Sequence, residues 1–263
     1  MEKQLNIVGW SPYRHSGGVT GHLLSMSYIA ANLMKMNVGI RADHFAARPI
    51  EGYIGKLRGV MPVSREIDFY SNVLYPGYIK WYLIYETRLN NMLSKVRNGF
   101  KVEKNLSVLL PIIDKNESLF GNNTGDACFV DSSGAGHMYF EKTVCDADMV
   151  LIFLPGNTYG IRNFFKHYNV DLRKSFFIIN CHSEAEEGAM HILSEFGIAE
   201  NRKMLIPYCR EYKYASNAGA IDEYVRREME HEKTGTYVDV IKCITSAVIK
   251  ECEKMKGENY GSY

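Results

Sequence analysis

The sequence predicts an α/β fold: a doubly wound, mostly parallel sheet of about seven strands flanked by helices. Two observations carry this. The first 42 residues make a strand–loop–helix–strand unit, the building block of a parallel sheet. Beyond residue 105 the same rhythm of strand-length apolar runs and helix-period segments returns and continues toward the C-terminus. A third observation bears on organisation. No internal repeat, low-complexity tract or linker divides the 263 residues, so 1–256 reads as one domain and 257–263 as a polar tail.

Each element follows from its local pattern. Leu5–Trp10 is a short buried strand, and 11–22, rich in Gly, Ser and Pro, reads as a loop. From Leu23 the apolar residues Leu23, Met26, Ala30, Leu33 and Met34 share one helical face. Asn37 stops that helix before a second strand, Val38–Ala42. Residues 46–63 fit a short helix with loops, and 68–76 mixes strand-like and loop-like character. Tyr82, Tyr85, Leu89, Met92 and Val96 mark an amphipathic helix over 79–97, closed by Asn98-Gly99. Residues 106–110 form a strand ending at Pro111. The second half reads as strands over 127–130, 149–154, 175–179 and 203–206, with helices over 138–144, 160–167 and 187–196 between them. Residues 208–218 read as a loop, and 221–230 and 237–254 as helices.

Composition narrows the function. Hydrophobic residues at 46% and charged residues at 23% supply a sizeable core and exclude a disordered chain. Lys plus Arg is 31 against 30 for Asp plus Glu, so nothing in the total favours a polyanion partner. The small net charge is compatible with self-association. No apolar run reaches the ~18 residues of a membrane helix. The first residues lack the basic-then-apolar plan of a signal peptide, which points to the cytoplasm. The six cysteines include no C-x-x-C pair, so they read as reduced thiols rather than zinc ligands. Aromatic residues are dense at Phe69, Tyr70, Tyr75, Tyr78, Trp81, Tyr82 and Tyr85, which reads as packing first and partner surface second.

Chemistry concentrates where strands end. The first strand is followed by Ser16-Gly17-Gly18-Val19-Thr20-Gly21-His22. Glycines between a first strand and first helix let backbone N–H groups approach a phosphate, which the helix dipole also attracts. A working phosphate loop adds a Lys on the phosphates and a Ser or Thr on magnesium. This loop has no Lys; Arg14, His15 and Thr20 are its nearby polar groups. The alternative reading is a Gly-rich turn with no ligand. Asp43 and Asp131 each follow a strand, where a metal–phosphate would be handled, although Asp after a strand is commonly a turn or cap residue. The eight histidines form no ligand cluster. Cys181-His182, the charged run 226–233 and the apolar stripe Val240, Ile241, Ile244, Val248 and Cys252 read as neighbours, a solvated helix end and core packing.

Taken in order, these segments resemble the MinD/ParA group of ATPases, the deviant Walker A branch. The strand 5–10, the loop Ser16-Gly-Gly-Val-Thr-Gly-His22 and the helix through Ala31-Asn32-Leu33 are similar to that family's first strand, phosphate loop and first helix. Leu106-Ser-Val-Leu-Leu-Pro111 resembles the strand before the central crossover. Phe129-Val-Asp-Ser-Ser-Gly-Ala-Gly136 resembles its Walker B-like segment, and Ala147–Pro155 the strand after it. Ile178-Ile-Asn180 resembles the motif that reads adenine, and Leu205-Ile-Pro207-Tyr208 the late Pro loop. The resemblance implies a P-loop NTPase fold of the SIMIBI type. It implies Ser16, Gly17, Gly18, Val19, Thr20, Gly21, His22, Asn180 and Pro207 as nucleotide contacts, Asp131 as the magnesium residue and Asp43 as a switch aspartate.

The departures from the family pattern shape the functional expectation. Aligned in this way, Ser16 stands for the signature Lys, Thr20 for a Gly, Gly21 for the second Lys and His22 for the Thr. Without both lysines, the positioned cations that stabilise phosphoryl transfer are gone, so ATP hydrolysis is expected to be weak or absent while ATP or ADP with Mg2+ can still bind weakly. The resemblance then implies a homodimer acting as a spatial-positioning or assembly factor, for example of pilus or secretion machinery as in TadZ-like proteins. Two alternatives stand: an active ATPase with a nucleotide-dependent dimer switch, in which Arg14 or His22 takes the Lys role, and a ParA-like DNA-binding partition protein. Dispersed Lys and Arg argue against DNA, and the tail gives no amphipathic membrane anchor.

Overall fold

The computed structural model describes residues 4–13, 18–42, 50–53, 100–103, 106–108, 125–132, 145–181, 183, 189–231 and 235–260. Eight strands form one sheet: β1 Leu5–Trp10, β2 Val38–Ala42, β3 Phe100–Glu103, β4 Leu106–Val108, β5 Ala127–Asp131, β6 Met149–Pro155, β7 Ser175–Asn180 and β8 Lys203–Ile206. Their spatial order is β3-β4-β2-β5-β1-β6-β7-β8. Seven run parallel, and β3 pairs antiparallel with β4 at one edge. The predicted doubly wound sheet is thus found, with one strand beyond those expected. β3 covers the otherwise open hydrogen-bonding row of the short β4, a pairing that strand-length apolar patterning does not reveal.

Successive residues of the central strands feed opposite layers. Ile7, Phe129, Leu151, Phe153, Phe176 and Ile178 enter one buried cluster, while Val8, Val130, Ile152, Leu154, Phe177 and Ile179 enter the other. Helices cover both faces, so both sets are apolar and the strands read as continuous hydrophobic runs. On the first face lie α1 Val19–Asn32, α5 Ile221–Glu230 and α6 Tyr237–Tyr260. On the second lie α2 Thr158–His167 and α3 Met190–Glu195. α4 Arg210–Ala218 contains no fully buried residue.

α1 is covered on every side, with Val19 through Ala31 all buried. Its composition suits that place: small residues admit close neighbours, and the hydroxyls of Ser25 and Ser27 donate to the carbonyls of Gly21 and Leu23 one turn back. α6 is clamped to the amino edge of the sheet. Lys256 pairs with Asp148 at 3.0 Å and donates to the Gln4 carbonyl at 2.6 Å, and Asp148 accepts from the Asn6 N–H at 2.8 Å.

Three boundaries differ from expectation. α1 starts at Val19, not Leu23, so the last four residues of the expected loop are its first turn. Gly18, lacking a Cβ, takes a left-handed conformation (φ 58°) that turns the chain directly into a helix. Residues 210–218 are helical rather than loop because Cys209 caps them, its Sγ accepting from the Tyr212 N–H at 3.5 Å, and Gly219 closes them at φ 64°. α6 continues to Tyr260, through the first four residues read as a polar tail. The predicted helices over 79–97 and 138–144, the segments 46–49 and 54–78, and the aromatic cluster from Phe69 to Tyr85 lie outside the described residues.

Candidate functional site

The parallel strands end together at one edge, where Trp10, Asp131, Pro155, Asn180 and Ile206 are the last residues of β1, β5, β6, β7 and β8. The strand order reverses about β1, since the chain adds β5 on one side and then β6, β7 and β8 on the other. Ligands of open α/β sheets bind beyond the carboxyl ends of strands at such a reversal.

Gly18 stands there as the N-cap of α1, exposed, with no side-chain cap. Its carbonyl accepts the His22 N–H at 3.1 Å, the opening hydrogen bond of the helix. A Cβ on Gly18 would lie 2.8 Å from His22 Nε2 and 2.9 Å from Asn180 Nδ2. The site therefore excludes a side chain both by backbone conformation and by space. Before it, the Tyr13 hydroxyl donates to the Gly160 carbonyl at 2.6 Å, tying the chain after β1 to the start of α2.

Behind Gly18, the Thr20 hydroxyl donates to Asp131 Oδ2. Both residues are buried. Asp131 ends β5 in register with Gly9 of β1 and Ala42 of β2, and the Ser132 N–H donates to the Gly9 carbonyl at 2.9 Å. A threonine on the first helical turn beside a carboxylate at a neighbouring strand end is a donor set suited to Mg2+, which takes one or two protein oxygens and fills its shell with water and phosphate. Among the described residues no group of three His, Cys, Asp or Glu could hold a metal by itself. Thr20 and Asp131 would hold the ion, whose chemistry is to neutralise charge on the phosphate oxygens.

This geometry corrects the register implied by the resemblance. His22, expected at the magnesium hydroxyl position, is 1% exposed and faces the interior. Its ring stacks on Phe153 (5.8 Å between centroids, 5° between planes) and on Tyr212 (4.9 Å, 14°), and Nδ1 lies 2.8 Å from the Tyr237 hydroxyl. That hydroxyl donates to Ser25 Oγ at 3.1 Å, which in turn donates to the Gly21 carbonyl. With the single Tyr237 proton directed at Ser25, the proton between Tyr237 and His22 belongs to Nδ1. Burial pushes the Tyr237 and Tyr212 hydroxyls well above the ordinary tyrosine range, so both stay protonated.

The hydroxyl facing Asp131 is therefore that of Thr20, two residues earlier than aligned, and the residue before it is Val19, buried in the core. A side chain at Gly21 would have to displace its neighbours. A Cβ there would meet the Tyr212 hydroxyl inside any real contact distance and Ile221 Cδ1 at 2.8 Å. Of the expected contacts, Gly18, Thr20, Asp131 and Asn180 come together at the carboxyl edge. Pro207 follows β8, half-buried, where Ile206 pairs with Asn180. Val19, Gly21 and His22 turn inward. Ser16, Gly17 and Asp43 lie outside the described residues, as do Arg14, His15 and His182. Tyr212, Tyr237 and Ser25 were not anticipated by sequence; the one available signal was a glycine, Gly21, inside a helical turn, which implies a close neighbour.

No family model matches the chain, and no curated protein matches it in sequence. Solved structures do. A ParA family ATPase from Chlorobium tepidum matches at TM-score 0.56 and 11% identity, over 91% of this chain and 98% of that one. MinD from Pyrococcus horikoshii, solved with Mg-ADP, matches at 0.53 and 12%, over 96% of each. A candidate plasmid partition protein from Borrelia burgdorferi, solved with AMPPNP, matches at 0.54 and 14%, over 96% and 100%. The fold is that of the MinD/ParA proteins. The likeness spans nearly the whole chain. Among the described residues no helix is long and apolar enough to cross a membrane.

Proposed function

We propose that this chain is a degenerate MinD/ParA-type protein that binds ATP or ADP with Mg2+ weakly, hydrolyses ATP slowly or not at all, and works as a homodimeric positioning or assembly factor. The observation that carries the proposal is the buried Thr20–Asp131 pair with Val19, an apolar core residue, immediately before the hydroxyl. The pair retains what Mg2+ needs. The position that would supply a lysine to the phosphates supplies none, and positioned cations account for much of the rate of phosphoryl transfer.

The MinD and Borrelia structures with Mg-ADP and AMPPNP support a nucleotide at this edge of the sheet. A phosphate group would meet the free N–H groups of the first turn of α1 after Gly18. Asn180 and Pro207 lie along the same edge, where the adenine would extend. A fold kept over nearly the full length with its lysine positions lost suits a protein whose partners read its bound state rather than its turnover, as expected of a TadZ-like factor for pilus or secretion machinery.

Calorimetry with ATP and ADP, with and without Mg2+, tests this. Magnesium-dependent binding that Asp131→Ala abolishes, with no phosphate release above a buffer blank, is the expected result. Binding with release sensitive to Asp131→Ala selects an active ATPase switch instead. No binding at high micromolar protein removes the nucleotide from the proposal.

A further inference from the structure

Resting on the nucleotide site proposed above, we propose that Tyr212 couples the phosphate-binding end of α1 to α4, so that α4 tightens onto the fold when a phosphate-bearing ligand sits over Gly18.

α4 is weakly held by its own sequence. It buries no residue completely, and Arg210, Glu211, Lys213, Tyr214, Asn217 and Ala218 are exposed. Its inward contacts come from Tyr212 and Ala215, with Cys209 at its cap. Tyr212 is the deep one. Its ring packs against both His22 of α1 (4.9 Å) and Tyr237 of α6 (4.2 Å, 20°), which also touch each other (5.8 Å), and its hydroxyl fills the space left by the missing side chain of Gly21. His22 in turn supports Gly18 from below, through Nε2 against the vacant Cβ position and through its N–H on the Gly18 carbonyl. Gly18, His22 and Tyr212 thus form an unbroken series of close contacts from the ligand-facing surface to α4.

Packed interiors transmit displacement because they have little free volume. An element with few buried contacts opens locally at low cost, and a ligand that orders its support raises that cost. α4 has turns at both ends, the Cys209 cap two residues after Pro207 and the left-handed Gly219, so it can open as a unit. It also carries Arg210 over the Tyr214 ring and Lys213 over that of Tyr208, so the surface that tightens is cationic and aromatic.

Amide hydrogen exchange resolved to α4 decides the matter. With saturating Mg-ADP, exchange over 210–218 slows about tenfold in the wild type and in Tyr212→Phe, which keeps the stack, whereas Tyr212→Leu binds ADP without that change. An α4 that ignores bound ADP, or a Tyr212→Leu protein that still responds, overturns the coupling. Gly21→Ala, without ligand, displaces the Tyr212 hydroxyl. It should speed α4 exchange about tenfold while β1 and β6 stay protected, and unchanged α4 exchange also overturns the proposal. If wild-type protein binds no ADP, the nucleotide reading fails, and the Gly21→Ala comparison still decides whether α1 and α4 are linked.

Discussion

Thr20, in the first turn of α1, donates its hydroxyl to Asp131 at the end of β5, joining positions 111 apart in the chain. The bond fixes where the helix begins relative to the sheet, and it places a hydroxyl and a carboxylate together at the edge where the strand order reverses. Both are buried, so the arrangement has measurable consequences for folding as well as for ligand binding.

Thr20→Val removes a donor from a buried carboxylate and is expected to lower stability by about 1–3 kcal/mol in urea melts, while Thr20→Ser stays within about 1 kcal/mol of wild type. Thr20→Val should also abolish the magnesium dependence of ADP binding, and Thr20→Ser should keep it. A Thr20→Val protein as stable as wild type would contradict the buried bond.

Gly21→Lys installs the lysine at the position suggested by the aligned motif. The Tyr212 hydroxyl and Ile221 Cδ1 occupy that space, so the variant should lose about 3 kcal/mol or more, or fail to accumulate as folded protein. A stable Gly21→Lys protein with gained ATP affinity would restore the original register.

Tyr237→Phe keeps the aromatic stack and deletes the hydroxyl between His22 Nδ1 and Ser25 Oγ. The expected loss is about 1–3 kcal/mol, because two buried polar partners lose one bond each. Urea midpoints with unchanged slope are the measurement, and a change below 0.5 kcal/mol, to take an order of magnitude, would show that the hydroxyl contributes little.

Alkaline stability follows from buried acids held protonated. Burial pushes the Cys252 thiol from 9.0 up to about 12. Below pH 9 the thiol is protonated in both states and contributes no pH dependence. Above it the unfolded chain releases the proton and the folded chain keeps it, so stability falls as pH rises, by up to about 1.4 kcal/mol per unit between pH 9 and 12 for this group. Tyr212, Tyr224 and Tyr237, all raised chiefly by burial, add to the slope once pH passes the unfolded tyrosine value of 10.0. Cys252→Ala should flatten the fall between pH 9 and 10 and make the fall from pH 10 to 12 shallower, leaving there the share of the tyrosines, as read from urea melts at each pH.

The fold was legible where pattern is local. Met149–Pro155 and Ser175–Asn180 are apolar on both faces because helices cover both, and Leu5–Trp10 and Val38–Ala42 ended where the sequence placed them. Asp131 was legible as the end of a strand at the ligand edge. α4 was not legible, because its nine residues have no apolar stripe and are held instead by a sulfur cap, a terminal glycine and one tyrosine reaching a distant helix. β3 was missed because an edge strand needs a partner row more than a hydrophobic pattern.

What the sequence determined by itself was the layered α/β plan, the glycine-rich entry to the first helix, and the absence of lysine from that entry. What the tertiary structure decided was which residue does what there. Thr20 faces Asp131 and His22 faces Tyr237 because α1 begins at Val19, and that start depends on the left-handed Gly18, against which pack His22 of the same helix, itself held by Phe153, Tyr212 and Tyr237, and Asn180 of β7. Two residues along a helix turn a side chain through about 200°. A two-residue error in where the helix begins therefore exchanges a ligand-facing position for a core one, and only the packing of distant elements sets that start.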